Sequence, residues 1–221
     1  MSWKGVSKIT EVELPMLKLQ KLPLLVVAVL GCLYITFIST GLITTAYAAE
    51  GNLVPSYGSG QYQLFIFSDY FCQPCQNLEK EIDGTVLEII ARGGVKVSFV
   101  DLPIYKLTPL YARYFLYAAN ASKSYEEALL ARKVLFDTAS RIGAITEPQL
   151  DNALKSRNVP IKPYDVEPTL KQYNDIVRQY KVRGTPTFVF VYSPADVRKY
   201  SGSEEIGKGL SDLSKVLGHP N

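Results

Sequence analysis

Histidine is almost absent from this chain. His219 is the only one in 221 residues, which excludes Ser/His/Asp triads, Cys/His protease pairs and multi-His metal centres. Cysteine is scarce too: three residues cannot build a disulfide framework, and only Cys72 and Cys75 are close together. Long runs of one charge are missing. Twenty-four basic against 21 acidic side chains leave a net +3, too small and too dispersed for the electrostatic footprint of a nucleic-acid binder. What is present is globular: 47% hydrophobic and 20% charged residues, enough for one sizeable domain and an appendage.

The appendage is N-terminal. Residues 1–21 carry Lys4, Lys8, Lys18 and Lys21 against Glu11 and Glu13, and Leu22–Thr45 carries no charge. As a helix those 24 residues would reach about 36 Å, enough to cross a bilayer. The next basic residue is Lys80, so the positive-inside rule places residues 1–21 in the cytoplasm and everything after the span outside it. Span length favours a retained membrane anchor. Ala46-Tyr47-Ala48 offers the competing reading, a signal-peptide cleavage site that frees a soluble protein. Cys32 is followed by strongly apolar residues and reads as a membrane-buried small hydrophobe rather than a lipidation site. Residues 46–60, small and nearly uncharged, read as a tether to a domain over 61–221.

Within that domain the hydrophobic period alternates. Gln63–Phe67 predicts a buried strand, and Leu78, Ile82 and Val86 mark a helix ending at Gly93-Gly94, with Gly84 expected to bend or break it. Val95–Val100 predicts a second strand, completing a βαβ unit. A helical block follows. It opens at Thr108-Pro109, read as N-cap and first-turn proline, and contains the capping boxes Ser124-x-x-Glu127 and Thr146-x-x-Gln149. Leu170, Tyr173, Ile176, Val177 and Tyr180 form the stripe of its last helix. Thr187–Tyr192 and Val197–Tyr200 flank a turn as paired strands, and Ile206, Leu210, Leu213 and Leu217 close the chain with a helix.

Cys72-Gln73-Pro74-Cys75 falls between the first strand and the first helix. Helix N-terminal N–H groups and the helix dipole stabilise a thiolate there, and the two-residue spacer leaves a second sulfur within reach of a mixed disulfide. Cys72 is the expected nucleophile, Cys75 the more buried resolving thiol, and Gln73-Pro74 the spacer, with Pro74 sterically acceptable in a first turn. Zinc would need more ligands than are nearby, and haem attachment would need a His where Gln76 stands. A Cu(I) site using both thiolates, and a purely structural pair, stay open beside the redox reading.

The downstream run Gly184-Thr185-Pro186-Thr187-Phe188 completes a pattern. Together with Phe67–Cys75, Phe99-Val100-Asp101-Leu102-Pro103 and the helical block containing Ala128–Phe136, it resembles the thioredoxin superfamily in its DsbA-like branch. The resemblance covers about Gln63 to Gly218 and implies an α/β thioredoxin fold: βαβ, helical insertion, ββα. It further implies protein thiol-disulfide exchange without a cofactor or metal, a membrane or soluble redox partner, and a cis Thr185–Pro186 bond whose loop binds the substrate backbone. Two features depart from that branch. Gln73-Pro74 looks more like the spacer of thioredoxin and its membrane-tethered reductive relatives, and Phe71 stands where thioredoxins carry tryptophan. Asp69, three residues before Cys72, is a candidate for proton transfer at the site, with an exposed loop acid or helix-start residue as the plainer reading.

Overall fold

The computed structural model describes residues 53–142 and 145–218. The expected cytoplasmic segment 1–21, the span 22–45 with Cys32, the cleavage site at Ala46–Ala48 and His219 lie outside the described residues. Among the described residues no helix is long and apolar enough to cross a membrane.

A five-stranded mixed sheet runs in the order β1-β3-β2-β4-β5. β1 is Ser56–Tyr57, β2 Tyr62–Ser68 and β3 Val95–Asp101, while β4 is Thr187–Ser193 and β5 Asp196–Ser201. β2 and β3 are parallel, with α1 (Gln73–Arg92) between them in the chain. β4 pairs antiparallel with β2 and β5, so Ile66 lies between Phe99 and Phe188 at the sheet centre. The insertion holds α2 (Thr108–Ala121), α3 (Tyr125–Ile142), α4 (Glu147–Lys155) and α5 (Glu167–Gln179), and α6 (Ser203–Val216) follows β5.

Both faces of the sheet are covered, as buried parallel strands require. Alternation along the strands divides the core. Leu64, Ile66, Val97, Phe99, Phe188 and Phe190 join the larger cluster with the apolar sides of α1, α3 and α6. Phe67, Val100 and Val189 point the other way, towards Tyr173 of α5 and Leu116 of α2.

Three local expectations change. α1 runs unbroken through Gly84, which is solvent-facing with open space where a Cβ would stand; packing of Leu78, Ile82, Val86 and Ile89 holds the helix against the modest propensity deficit of one glycine. The first helix of the insertion starts one residue earlier than predicted, with Leu107 at the N-cap and Thr108 already helical. In the segment read as a tether, Val54 is buried and Ser56–Tyr57 pair antiparallel with β3. The capping box at Thr146 forms: Gln149 Oε1 accepts from the Thr146 N–H at 2.8 Å. At Ser124, the hydroxyl accepts from the Glu127 N–H at 3.4 Å, while the Glu127 carboxylate turns to the Lys123 N–H at 2.8 Å.

Candidate active site

Pro74 prevents α1 from extending backwards and sits in its first turn, leaving Cys72 as the N-cap with extended backbone. The Gln76 N–H donates to Cys72 O at 3.0 Å as the first helical bond, and the Cys72 N–H donates to Asp69 O at 3.2 Å. Cys72 therefore faces the positive end of the α1 dipole. Gln73 is exposed and donates through Nε2 to Asn77 Oδ1 at 3.1 Å. One helical turn in, Cys75 is 2% exposed. Burial pushes its thiol from an ordinary 9.0 up to about 12, with hydrogen bonding at Thr185 pulling the other way. Both cysteines are free thiols.

Thr185–Pro186 is a cis peptide bond, as the resemblance implied. It lies immediately before β4, and the Cys72 Sγ–H donates to Thr185 O at 3.4 Å across 113 residues of sequence. The fold thus brings together Cys72, Cys75 and the Thr185-Pro186 turn. The Thr185 hydroxyl is buried and has no hydrogen-bond partner among the described residues. Thr187, next on the strand, is satisfied: its hydroxyl donates to Gly184 O at 2.8 Å.

Asp69 is not the exposed acid expected of a loop. It is fully buried, and its two oxygens take four donors. Oδ1 accepts from the Phe71 N–H at 2.8 Å, and Oδ2 from the Ile104 N–H at 2.9 Å, the Tyr105 N–H at 3.2 Å and the Thr108 hydroxyl at 2.6 Å. The carboxylate ties the active-site loop to the turn after β3. None of these bonds goes to a sulfur.

A second buried polar centre went unread in the sequence. Arg132 of α3 is fully buried. Its guanidinium reaches Glu79 Oε1 at 3.0 Å and Asp101 Oδ1 at 3.3 Å, and it hydrogen-bonds the Ser68 hydroxyl. It also lies over the Phe99 ring at 4.7 Å and the Phe136 ring at 5.0 Å. The Tyr70 hydroxyl donates to the other Asp101 oxygen at 3.0 Å. Burial works against the Arg132 charge, but Glu79, Tyr70 and Asp101 outweigh it and hold the group above its ordinary value. Burial pushes Asp101 and Glu79 up, against the pull of Arg132. One signal was available: Arg132 falls on the apolar stripe of Ala128, Ala131, Leu135 and Ala139, where a solvated cation has no place.

Two surfaces flank the cysteines. Beside Phe71 lie the exposed side chains of Ile104 and Tyr105, with Tyr111 packed edge-on against Phe71 at 4.8 Å. On the side of the Thr185-Pro186 turn, an open groove of about 570 Å³ is lined by Pro74, by residues 181–187 apart from Val182, and by Lys199, Ser201 and Gly202.

No protein-family model matches the chain, and no curated protein matches it. Solved structures do. A periplasmic thioredoxin-like protein from Salmonella enterica serovar Typhimurium superposes with a TM-score of 0.56 at 17% identity, covering 80% of this chain and 98% of that one. The catalytic domain of Proteus mirabilis ScsC gives 0.56 at 18%, covering 77% and 93%. Pseudomonas aeruginosa DsbA2 gives 0.51 at 16%, covering 75% and 96%. The chain has a thioredoxin-like fold. At these identities the likeness is one of architecture. Among the described residues, no group of three or more His, Cys, Asp or Glu side chains is placed to hold a metal ion.

Proposed function

We propose that this chain is an extracytoplasmic thiol-disulfide oxidoreductase that exchanges disulfides with protein thiols through Cys72 and Cys75. One observation carries the reading: Cys72 caps α1 with its sulfur against Thr185 O, beside a groove and above a buried second thiol. The neighbours described as periplasmic thioredoxin-like, ScsC and DsbA2 support the same class of activity and the same compartment.

In the reducing direction, the Cys72 thiolate attacks one sulfur of a substrate disulfide. A Cys72–substrate bond forms, the substrate S–S bond breaks, and one substrate thiolate leaves and takes up a proton. Cys75 then loses its proton and attacks Cys72, forming the Cys72–Cys75 disulfide and releasing the second substrate thiol. The substrate gains two electrons and two protons, and the pair loses the same. Oxidation of a dithiol is the reverse. The elevated Cys75 value suits a resolving thiol that stays protonated until the mixed disulfide lies beside it. In this scheme the Thr185-Pro186 turn holds the extended substrate backbone and Gln73-Pro74 sets the spacing of the sulfurs. Asp69 acts by positioning the loop that carries Cys72. Residues 22–45 tether the domain to the membrane unless cleavage after Ala48 frees it.

Trapping tests the assignment. Cys75→Ser should accumulate covalent complexes with extracytoplasmic proteins, seen as slow bands on non-reducing gels that collapse with reductant and are missing in Cys72→Ser. Complexes in Cys72→Ser alone would exchange the roles of the two thiols. No complexes in either variant, with tight Cu(I) binding by the wild-type pair, would replace the exchange reading with a metal-holding one.

A further inference from the structure

The groove beside Thr185-Pro186 is lined by three cations, Lys181, Arg183 and Lys199, and, among the described residues, by no carboxylate. All three side chains are exposed. Among the described residues none of them forms an ion pair. The carboxylates closest in sequence are engaged elsewhere: Asp175 with Arg178 at 2.7 Å, Asp196 with Arg198 at 2.8 Å, and Glu204 and Glu205 both with Lys208 at 2.9 Å. Lys199 Nζ donates to the carbonyls of Tyr180 at 3.3 Å and Lys181 at 3.2 Å, at the C-terminal end of α5, and among the described residues no carboxylate pairs with it. Lys181 sits at φ 50°, a left-handed conformation in which glycine or asparagine is the easier occupant. Three like charges thus converge on one wall of the site in a chain whose net charge is only +3.

We infer that this groove selects polypeptide segments that carry aspartate or glutamate beside the reacting cysteine. The inference rests on the exchange reading above and adds the substrate class. An extended segment lying along the Thr185-Pro186 turn would run past Lys181, Arg183 and Lys199, and a carboxylate one or two residues from its cysteine would meet their unpaired charge. The contact is solvent-exposed, so its effect falls chiefly on the encounter rate and is screened by salt.

The experiment uses the full-length chain and three disulfide-bonded peptides identical except for Glu, Gln or Lys on either side of the cysteine. At about 20 mM salt the Glu peptide should exchange roughly tenfold faster than the Lys peptide, with Gln between them, and the spread should narrow towards one at about 0.5 M. The spread should also collapse in Lys181→Gln/Arg183→Gln/Lys199→Gln and survive in Lys181→Arg/Lys199→Arg, which keeps the charge. Equal rates for the Glu and Lys peptides at low salt, with all three reacting, would overturn the selection and leave the exchange reading standing. So would a spread that persists in the folded triple Gln variant. Failure of every peptide to react would overturn the exchange reading, and the selection with it.

Discussion

Beneath the two cysteines and beside them, the protein handles polar groups in opposite ways. The floor is closed: Asp69 accepts four hydrogen bonds, and Arg132 is paired with two carboxylates and covered by aromatic rings. The wall is open, and its cations meet solvent without ion-pair partners among the described residues. A buried charge is tolerable only when every neighbour answers it, whereas an exposed one contributes little to the fold and is free to act on a ligand. Fold stability and substrate choice are thereby assigned to different residues at one site.

The sharpest way to break this division is Arg132→Ala. It strands Asp101 and much of Glu79 without a counter-charge and opens a cavity against Phe99 and Phe136, so unfolding free energy should fall by about 3–5 kcal/mol. Denaturant titration measures it, and a loss below about 1 kcal/mol would mean that water already reaches the centre. Asp69→Ala should come next, at about 2–3 kcal/mol, because three N–H groups and one hydroxyl lose their acceptor while the partly exposed ones recover water. Hydrogen exchange at Phe71, Ile104 and Tyr105 should speed up in this variant, and unchanged exchange would count against Asp69 as the tie between the two loops. Arg183→Gln, on the wall, should move stability by no more than about 0.5 kcal/mol in the same titration. A larger loss there would erase the contrast.

How far the sequence reaches follows the same line. Strands β2, β3 and β4 were legible because each is a short apolar run bounded by turn residues, and α1 because its core contacts repeat every three or four residues. Cys72 and Cys75 were legible because their chemistry depends on local spacing. Asp69 was not: its partners at 104, 105 and 108 lie 35 to 39 residues away, and only folding brings them in. Arg132 is harder still, with partners 31 to 64 residues back along the chain. Gly84 misled because helix propensity is a weak prior that packing on one face overrides. Lys181 and Lys199 come from opposite ends of the β4–β5 hairpin region, so nothing in their local sequence announces a shared groove.

The smallest element of the fold covers the outer side of one of its longest strands. β1 supplies only Ser56 and Tyr57, yet it occupies the outer side of β3, where Phe99 N–H also donates to Pro55 O at 3.1 Å and the Ser56 and Ser98 hydroxyls meet at 2.7 Å. Without it, β3 would be the rim of the sheet: a seven-residue run, VKVSFVD, with three valines and one phenylalanine, and with backbone donors and acceptors facing outward. Such a rim is a template for strand-to-strand association between molecules. A fragment cut at residue 61 would keep the cysteines and shed this cover, and so would open a second, seven-residue edge beside that of β5.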